Sequence, residues 1–184
     1  MFDFSIFRDP VWPEHLKPEG EGSFEKEGFE PWWARHKEEI GHLHPKIAEQ
    51  WIHRHWFNSE FSFLPLNTMR WELVPMDGSE ILSSVKRELA QQLDPEFDYE
   101  SFQGRYGDDK LQTAKALDTG TWDYPIVALS TPSGWRSLKG EFPSERLMLI
   151  EGHQRHRYLN ALHYLNKAPN GPHDVFIVSS PMAD

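Results

Sequence analysis

The chain of 184 residues contains no cysteine. That absence excludes disulfide frameworks, cysteine-ligated zinc, cysteine-bound iron–sulfur clusters and a cysteine nucleophile. Positive charge is also scarce: 19 Lys and Arg stand against 29 Asp and Glu, a formal net charge of −10. Non-specific DNA binding depends on many Lys/Arg–phosphate contacts, so bulk charge offers DNA no hold here. No apolar run approaches the roughly 20 residues of a membrane helix. The opening MFDFSIFRDP lacks the basic and apolar segments of a secretory signal. These absences lead to the expectation of a cytoplasmic protein without a membrane partner.

Aromatic residues are plentiful, with 8 Trp, 12 Phe and 5 Tyr making up 14% of the chain. Trp12, Trp32, Trp33, Trp51, Trp56 and Trp71 all fall in the first part of the sequence. They suit either a packed core or an exposed surface that stacks bases or takes a protein partner. Charge is uneven. Residues 1–30 hold eight acids and three bases, and residues 72–123 hold twelve acids and five bases. The locally basic stretch is 136–167, with six bases and three acids. One basic element in an acidic protein favours a small anionic ligand over a polyanion.

Proline and glycine among acids make residues 1–30 an expected extended arm. A helix is expected from Pro31, broken at Gly41 and Pro45, and a second from Pro45 to Phe57. Phe61–Leu66 reads as a short strand. Asp77-Gly78-Ser79 signals a helix carrying Ile81, Leu82, Val85 and Leu89. Residues 94–108 read as a long acidic loop, followed by a helix near Asp109–Leu117. Strands are expected at Tyr124–Ser130, Leu147–Ile150 and Asp174–Ser179, with a turn at Thr131–Gly134. Strands mixed with helices predict an α/β or α+β fold.

The segment LMLIEGHQRHRYLNALHYL, Leu147–Leu165, concentrates the chemistry. A buried strand ends at Glu151-Gly152 and a helix begins at once. The first turn of a helix has free N–H groups, and with the helix dipole these suit an anion. His153, Gln154, Arg155 and Arg157 add side-chain donors there, and arginine matches phosphate with its planar fork. Cations at a helix start oppose the dipole, which argues for an anion nearby. Tyr158, Ala161, Leu162 and Leu165 form the packing face. Glu151 suits Mg²⁺, a clamp on Arg155, or plain surface exposure.

Gly152-His153-Gln154-Arg155, after an apolar strand, resembles the Gly-x-x-Arg turn of the ParB/sulfiredoxin-like superfamily. FSFLPLNTM (Phe61–Met69) looks like the opening strand of that fold, Glu80–Gln91 like its first helix, and Tyr124-Pro125-Ile126-Val127 like its Pro-Ile-x-Val strand. The resemblance spans roughly residues 60–180. It implies a mixed sheet flanked by helices over 59–184, with residues 1–58 as a helical, Trp-rich extension. It also implies that the turn binds nucleotide phosphates, ATP, ADP or CTP with Mg²⁺. Sulfiredoxin chemistry needs a cysteine where His153 stands and is therefore excluded, and the helix-turn-helix domain of chromosome-partitioning members of that superfamily is not expected here. The remaining branch includes small-molecule kinases with a Gly-His-x-Arg turn and a carboxylate base after the opening strand, which points to Glu72.

The expected catalytic set is therefore Glu72, His153 and Arg155, and the expected phosphate set is Glu151, Gly152, His153, Gln154, Arg155 and Arg157. The function expected is nucleotide or phosphorylated small-molecule binding, with hydrolysis or phosphoryl transfer. The alternatives are an interaction module that uses the Trp-rich region and a ParB-like nuclease. No resident metal site is expected. His53 and His55 would point to opposite sides of a helix, and arginines surround His153 and His156.

Overall fold

Residues 126–129, 148–150 and 175–178 are all apolar, and a strand sends successive side chains to opposite faces. Such runs belong to a sheet covered on both sides. The computed structural model describes residues 1–22, 25–87, 93–105 and 109–183, and it has that arrangement. In chain order the strands are β1 (Phe2–Asp3), β2 (Arg70–Asp77), β3 (Val85–Lys86), β4 (Ile126–Ser130), β5 (Trp135–Ser137), β6 (Gly140–Phe142), β7 (Leu147–Glu151) and β8 (Pro172–Ser179). The α-helices are α1 (Phe29–Ile40), α2 (Pro45–Ile47), α3 (Gly78–Ser84), α4 (Pro95–Phe102), α5 (Gln112–Leu117) and α6 (His153–Tyr164). The fold is mixed α/β, as expected.

The main sheet runs β2-β8-β4-β7-β3. Its β2/β8 and β4/β7 pairs are antiparallel, and its β4/β8 and β3/β7 pairs are parallel. Val127, Leu129, Met148, Ile150, Phe176 and Val178 meet one hydrophobic layer. Ile126, Ala128, Leu149 and Val175 meet the other, under Tyr158, Leu159 and Leu162 of α6. Ile81, Phe102, Ala114 and Leu117 complete that second layer from α3, α4 and α5.

The first layer is built by the N-terminal residues. Trp12, Leu16, Trp32, Trp51, Ile52, Phe61 and Phe63 all pack into it. The indole N–H of Trp12 donates to the Leu64 carbonyl at 3.1 Å and that of Trp32 to the Leu16 carbonyl at 2.6 Å. These buried donors are satisfied, as core tryptophans require. Residues 1–58 therefore share one core with the sheet. The extended arm is also tied down: β1 pairs in parallel with β5, which pairs with β6 in a small second sheet.

Several local expectations are corrected. No strand forms at Phe61–Leu66. The chain turns there and makes a 3₁₀ turn at Leu66–Thr68, and the strand begins at Arg70. Phe61, Phe63, Leu64 and Leu66 are buried one by one in the first layer, so their apolar pattern records packing without strand pairing. The helix expected over 45–57 is α2 followed by a π-helical stretch, Ala48–His53, whose burial extends over Ala48, Gln50, Trp51, Ile52 and His53. The helix expected over 80–91 stops at Ser84, because Val85 pairs with Leu147 as a strand; Leu89 and Gln91 lie outside the described residues. The expected acidic loop contains α4, started by the Asp94 side chain accepting from the Phe97 N–H at 3.0 Å, with Pro95 at the first position. Residues 106–108 of that loop lie outside the described residues. Among the described residues no helix is long and apolar enough to cross a membrane.

Candidate functional site

β7 delivers the chain to α6 through Gly152, whose φ of +98° is left-handed. A Cβ on Gly152 would lie 2.5 Å from Cγ2 of Ile126. The glycine is thus required by its own conformation and by the close approach of β4, where the sequence suggested approach of a ligand. Around this junction lies a pocket of about 530 Å³ lined by Arg54, His55, Gln112, Thr113, Asp123, Glu151, Gly152, His153, Gln154 and Arg155. A smaller cavity of about 180 Å³ adjoins it, sharing His55, Glu151 and His153 and walled by Trp51, Phe61, Leu149 and Ile150. No side chain caps the start of α6.

The arginines of the motif have protein partners. Arg155 is 6% exposed. Its Nε donates to Asp123 Oδ1 at 3.0 Å, its Nη2 to Gln50 Oε1 at 3.2 Å, and its Nη1 lies 3.8 Å from Glu151 Oε1. The guanidinium also lies 5.6 Å from the centre of the Tyr124 ring. Arg157 forms a bidentate pair with Asp98, whose side chain is buried. The anions implied by cations at the helix start are therefore carboxylates of the chain itself. Of the expected phosphate donors, His153 and Gln154 make no such ion pair among the described residues.

Glu151 links β7 to the N-terminal layer. His55 Nε2 lies 3.1 Å from its Oε2. Burial would raise the Glu151 carboxyl, but the His55 hydrogen bond, the charges of His55 and Arg155 and the Gly152 N–H hold it below the ordinary carboxylate range. Burial pushes His153 down, which keeps it neutral near pH 7. With Nε2 directed at Glu151, Nδ1 is the His55 ring nitrogen left for another partner. A histidine oriented by a carboxylate is the arrangement of a general base. Sequence reasoning weighed His55 only as a metal ligand and passed over Arg54, Asp123 and Gln50. The only available signal was His55 itself, because the other three are brought here by tertiary packing.

The structure does not bring Glu72 to this site. It is exposed on the edge strand β2 opposite Ile177. β8 and β4 stand between β2 and β7, so Glu72 is about 14 Å away at ordinary strand spacing. Magnesium fits poorly as a resident ion. Glu151 and Asp123 are the carboxylates of the pocket and both face cations. Among the described residues no group of three or more His, Asp or Glu is placed to hold a metal. Mg²⁺ usually takes one or two free carboxylates plus ligand phosphates, so no step is assigned to it.

Comparison with protein-family models, with curated proteins and with solved structures finds no match to this chain.

Proposed function

We propose that this protein binds a phosphate-bearing small molecule of the nucleotide class in the Gly152 pocket, with His55 as a general base for hydrolysis or phosphoryl transfer. The observation that carries the reading is the left-handed Gly152 turn, which opens the first turn of a 12-residue helix toward the 530 Å³ pocket. The uncapped N–H groups of α6 suit the phosphate. Arg54, which is exposed, and Gln154 add donors at the rim. His55, held by Glu151, takes a proton from water or an acceptor hydroxyl. Arg155 acts by positioning Asp123, Glu151 and Gln50. The likeness of Gly152–Arg155 to the ParB/sulfiredoxin-like turn supports the same ligand class.

Thermal-shift screening with ATP, ADP, CTP and GTP, with and without Mg²⁺, tests this. A nucleotide at one hundred times its Kd stabilises by about 2.7 kcal/mol, or roughly 5–10 °C for a chain of this size. The shift should shrink in Arg54→Ala. In His55→Ala turnover should fall by at least 100-fold, the contribution of a positioned base. No shift with any nucleotide refutes the reading.

A protein-interaction reading survives on other residues than those suggested by the sequence. Most of the tryptophans are core, but Phe7 is 85% and Leu138 88% exposed. A Phe7→Ser, Leu138→Ser variant that keeps a partner seen in pull-down would remove this reading.

A further inference from the structure

The first turns of α6 carry a second group of nitrogen-bearing side chains, away from Asp123 and Gln50. His153, His156 and Arg157 follow one another at i, i+3 and i+4 and share a helix face. Strand β3 leads to Arg87 beside them. Arg87 is half-buried, and its Nε and Nη1 are buried with no hydrogen-bond partner among the described residues. An arginine keeps its proton in a protein, so it cannot escape by neutralisation. His156 is 5% exposed. Its Nε2 lies 3.2 Å from the Val85 carbonyl and must donate to it, which leaves Nδ1 buried and without a partner. Arg157 turns Nε and Nη2 to Asp98, and its side chain keeps 29% exposure, so Nη1 is open to solvent or a ligand. Unmade hydrogen bonds on buried groups are uncommon in folded proteins and call for an explanation.

We propose that Arg87, His156 and Arg157 form a site for a compact oxyanion of phosphate or sulfate size, separate from the Gly152 pocket. The guanidiniums supply donors in a fixed planar geometry that matches a tetrahedral oxyanion. Lys86 adds positive charge, although its Nζ donates to the Leu82 carbonyl at 3.0 Å. Asp98 on α4 is the opposing carboxylate; its charge reaches Arg87 as well, but its hydrogen bonds go to Arg157 and none is made to the buried Nε and Nη1 of Arg87. Bound anion gives His156 a reason to take a proton on Nδ1, which turns that lone pair into a donor. In the free protein burial, helped by the charges of Arg87 and Lys86 and by His153, pushes His156 down to about 4. Binding of a dianion therefore takes up a proton and tightens as pH falls from 7 toward 5.

The test is a sulfate titration of the full chain by calorimetry at pH 7 and pH 5.5, with thermal shift alongside. Sulfate stays a dianion across that range. Its general stabilising action as an excluded salt falls on every variant alike, so the comparison with Arg87→Met isolates the site. Arg87→Met removes unpartnered buried donors, so the anion-free variant should be at least as stable as the parent. Its sulfate affinity should fall tenfold or more, the usual loss of charge-assisted hydrogen bonds. His156→Gln should abolish the tightening at low pH. Inorganic phosphate run against a nucleoside diphosphate separates a free anion from a phosphoryl group on a larger ligand, the tighter one being the natural class. Equal sulfate affinity in the parent and Arg87→Met overturns the proposal, as does an ordered water bridging Arg87 to His156 in crystals grown with sulfate. His55→Ala leaves the sulfate response in place, so this site and the Gly152 pocket can fail separately.

Discussion

Replacing Arg155 by alanine separates a scaffold from a ligand-binding residue. The side chain of Arg155 is 7% exposed, against 17% for Asp123 and 15% for Glu151. Removing the arginine takes from Asp123 and Glu151 the cation they share and frees the Gln50 amide oxygen, which then keeps only the Arg54 contact at 3.3 Å. Deleting one partner of a buried pair costs about 3–5 kcal/mol. The residual exposure of the acids places this case near the lower end, at about 3 kcal/mol. For a domain of this size that is roughly 6–12 °C in Tm. Urea unfolding of Arg155→Ala, Asp123→Ala and the double variant gives the coupling, expected at about 1–3 kcal/mol because the groups touch. The single Arg155 variant should be the worst of the three. If it loses less than 1 kcal/mol while nucleotide binding disappears, Arg155 serves the ligand directly and the scaffold argument is wrong.

Gly152→Ala combines a left-handed backbone with a Cβ placed against Ile126, so it should cost about 2–4 kcal/mol by the sum of the two penalties, read in the same unfolding assay. Trp32→Ala empties a fully buried, hydrogen-bonded position and should cost about 3–5 kcal/mol; a loss under 1 kcal/mol would mean that the aromatic layer is not core. His156 titrates near 4 in the folded chain, below its ordinary value of 6.5. The unfolded chain therefore binds more protons between those values. The stability tied to this residue is complete above pH 6.5 and falls away by roughly 3 kcal/mol as pH drops to about 4. His156→Gln should flatten that part of the stability profile, measured by unfolding at pH 7, 5.5 and 4.5. Glu151 has the same sign in a lower window: its contribution is present above its ordinary carboxylate value and is lost as pH falls through the depressed one, so Glu151→Gln should reduce the acid sensitivity below pH 4.5.

Periodicity and apolar runs were enough to read β4, β7, β8 and α6, because a strand buried on both faces and an amphipathic helix leave their pattern in the residues themselves. The junction at Gly152 was equally legible, since a glycine between an apolar strand and a helix is a local signal. Asp94-Pro95 carried the start of α4 just as openly, yet the surrounding acids made the segment read as a loop. Other features had no local trace. Whether Phe61–Leu66 paired as a strand or packed as separate side chains depended on the layer laid down by residues 1–58. Whether Arg155 and Arg157 were free for phosphate depended on Asp123 and Asp98, which lie 32 and 59 residues away along the chain. Charge pairing acts over a few ångströms of space without regard to distance along the chain. A linear pattern can therefore place a cation at a helix start but cannot name its counter-ion, and only the folded arrangement chose internal carboxylates for two arginines and, among the described residues, left Nε and Nη1 of Arg87 without a hydrogen bond.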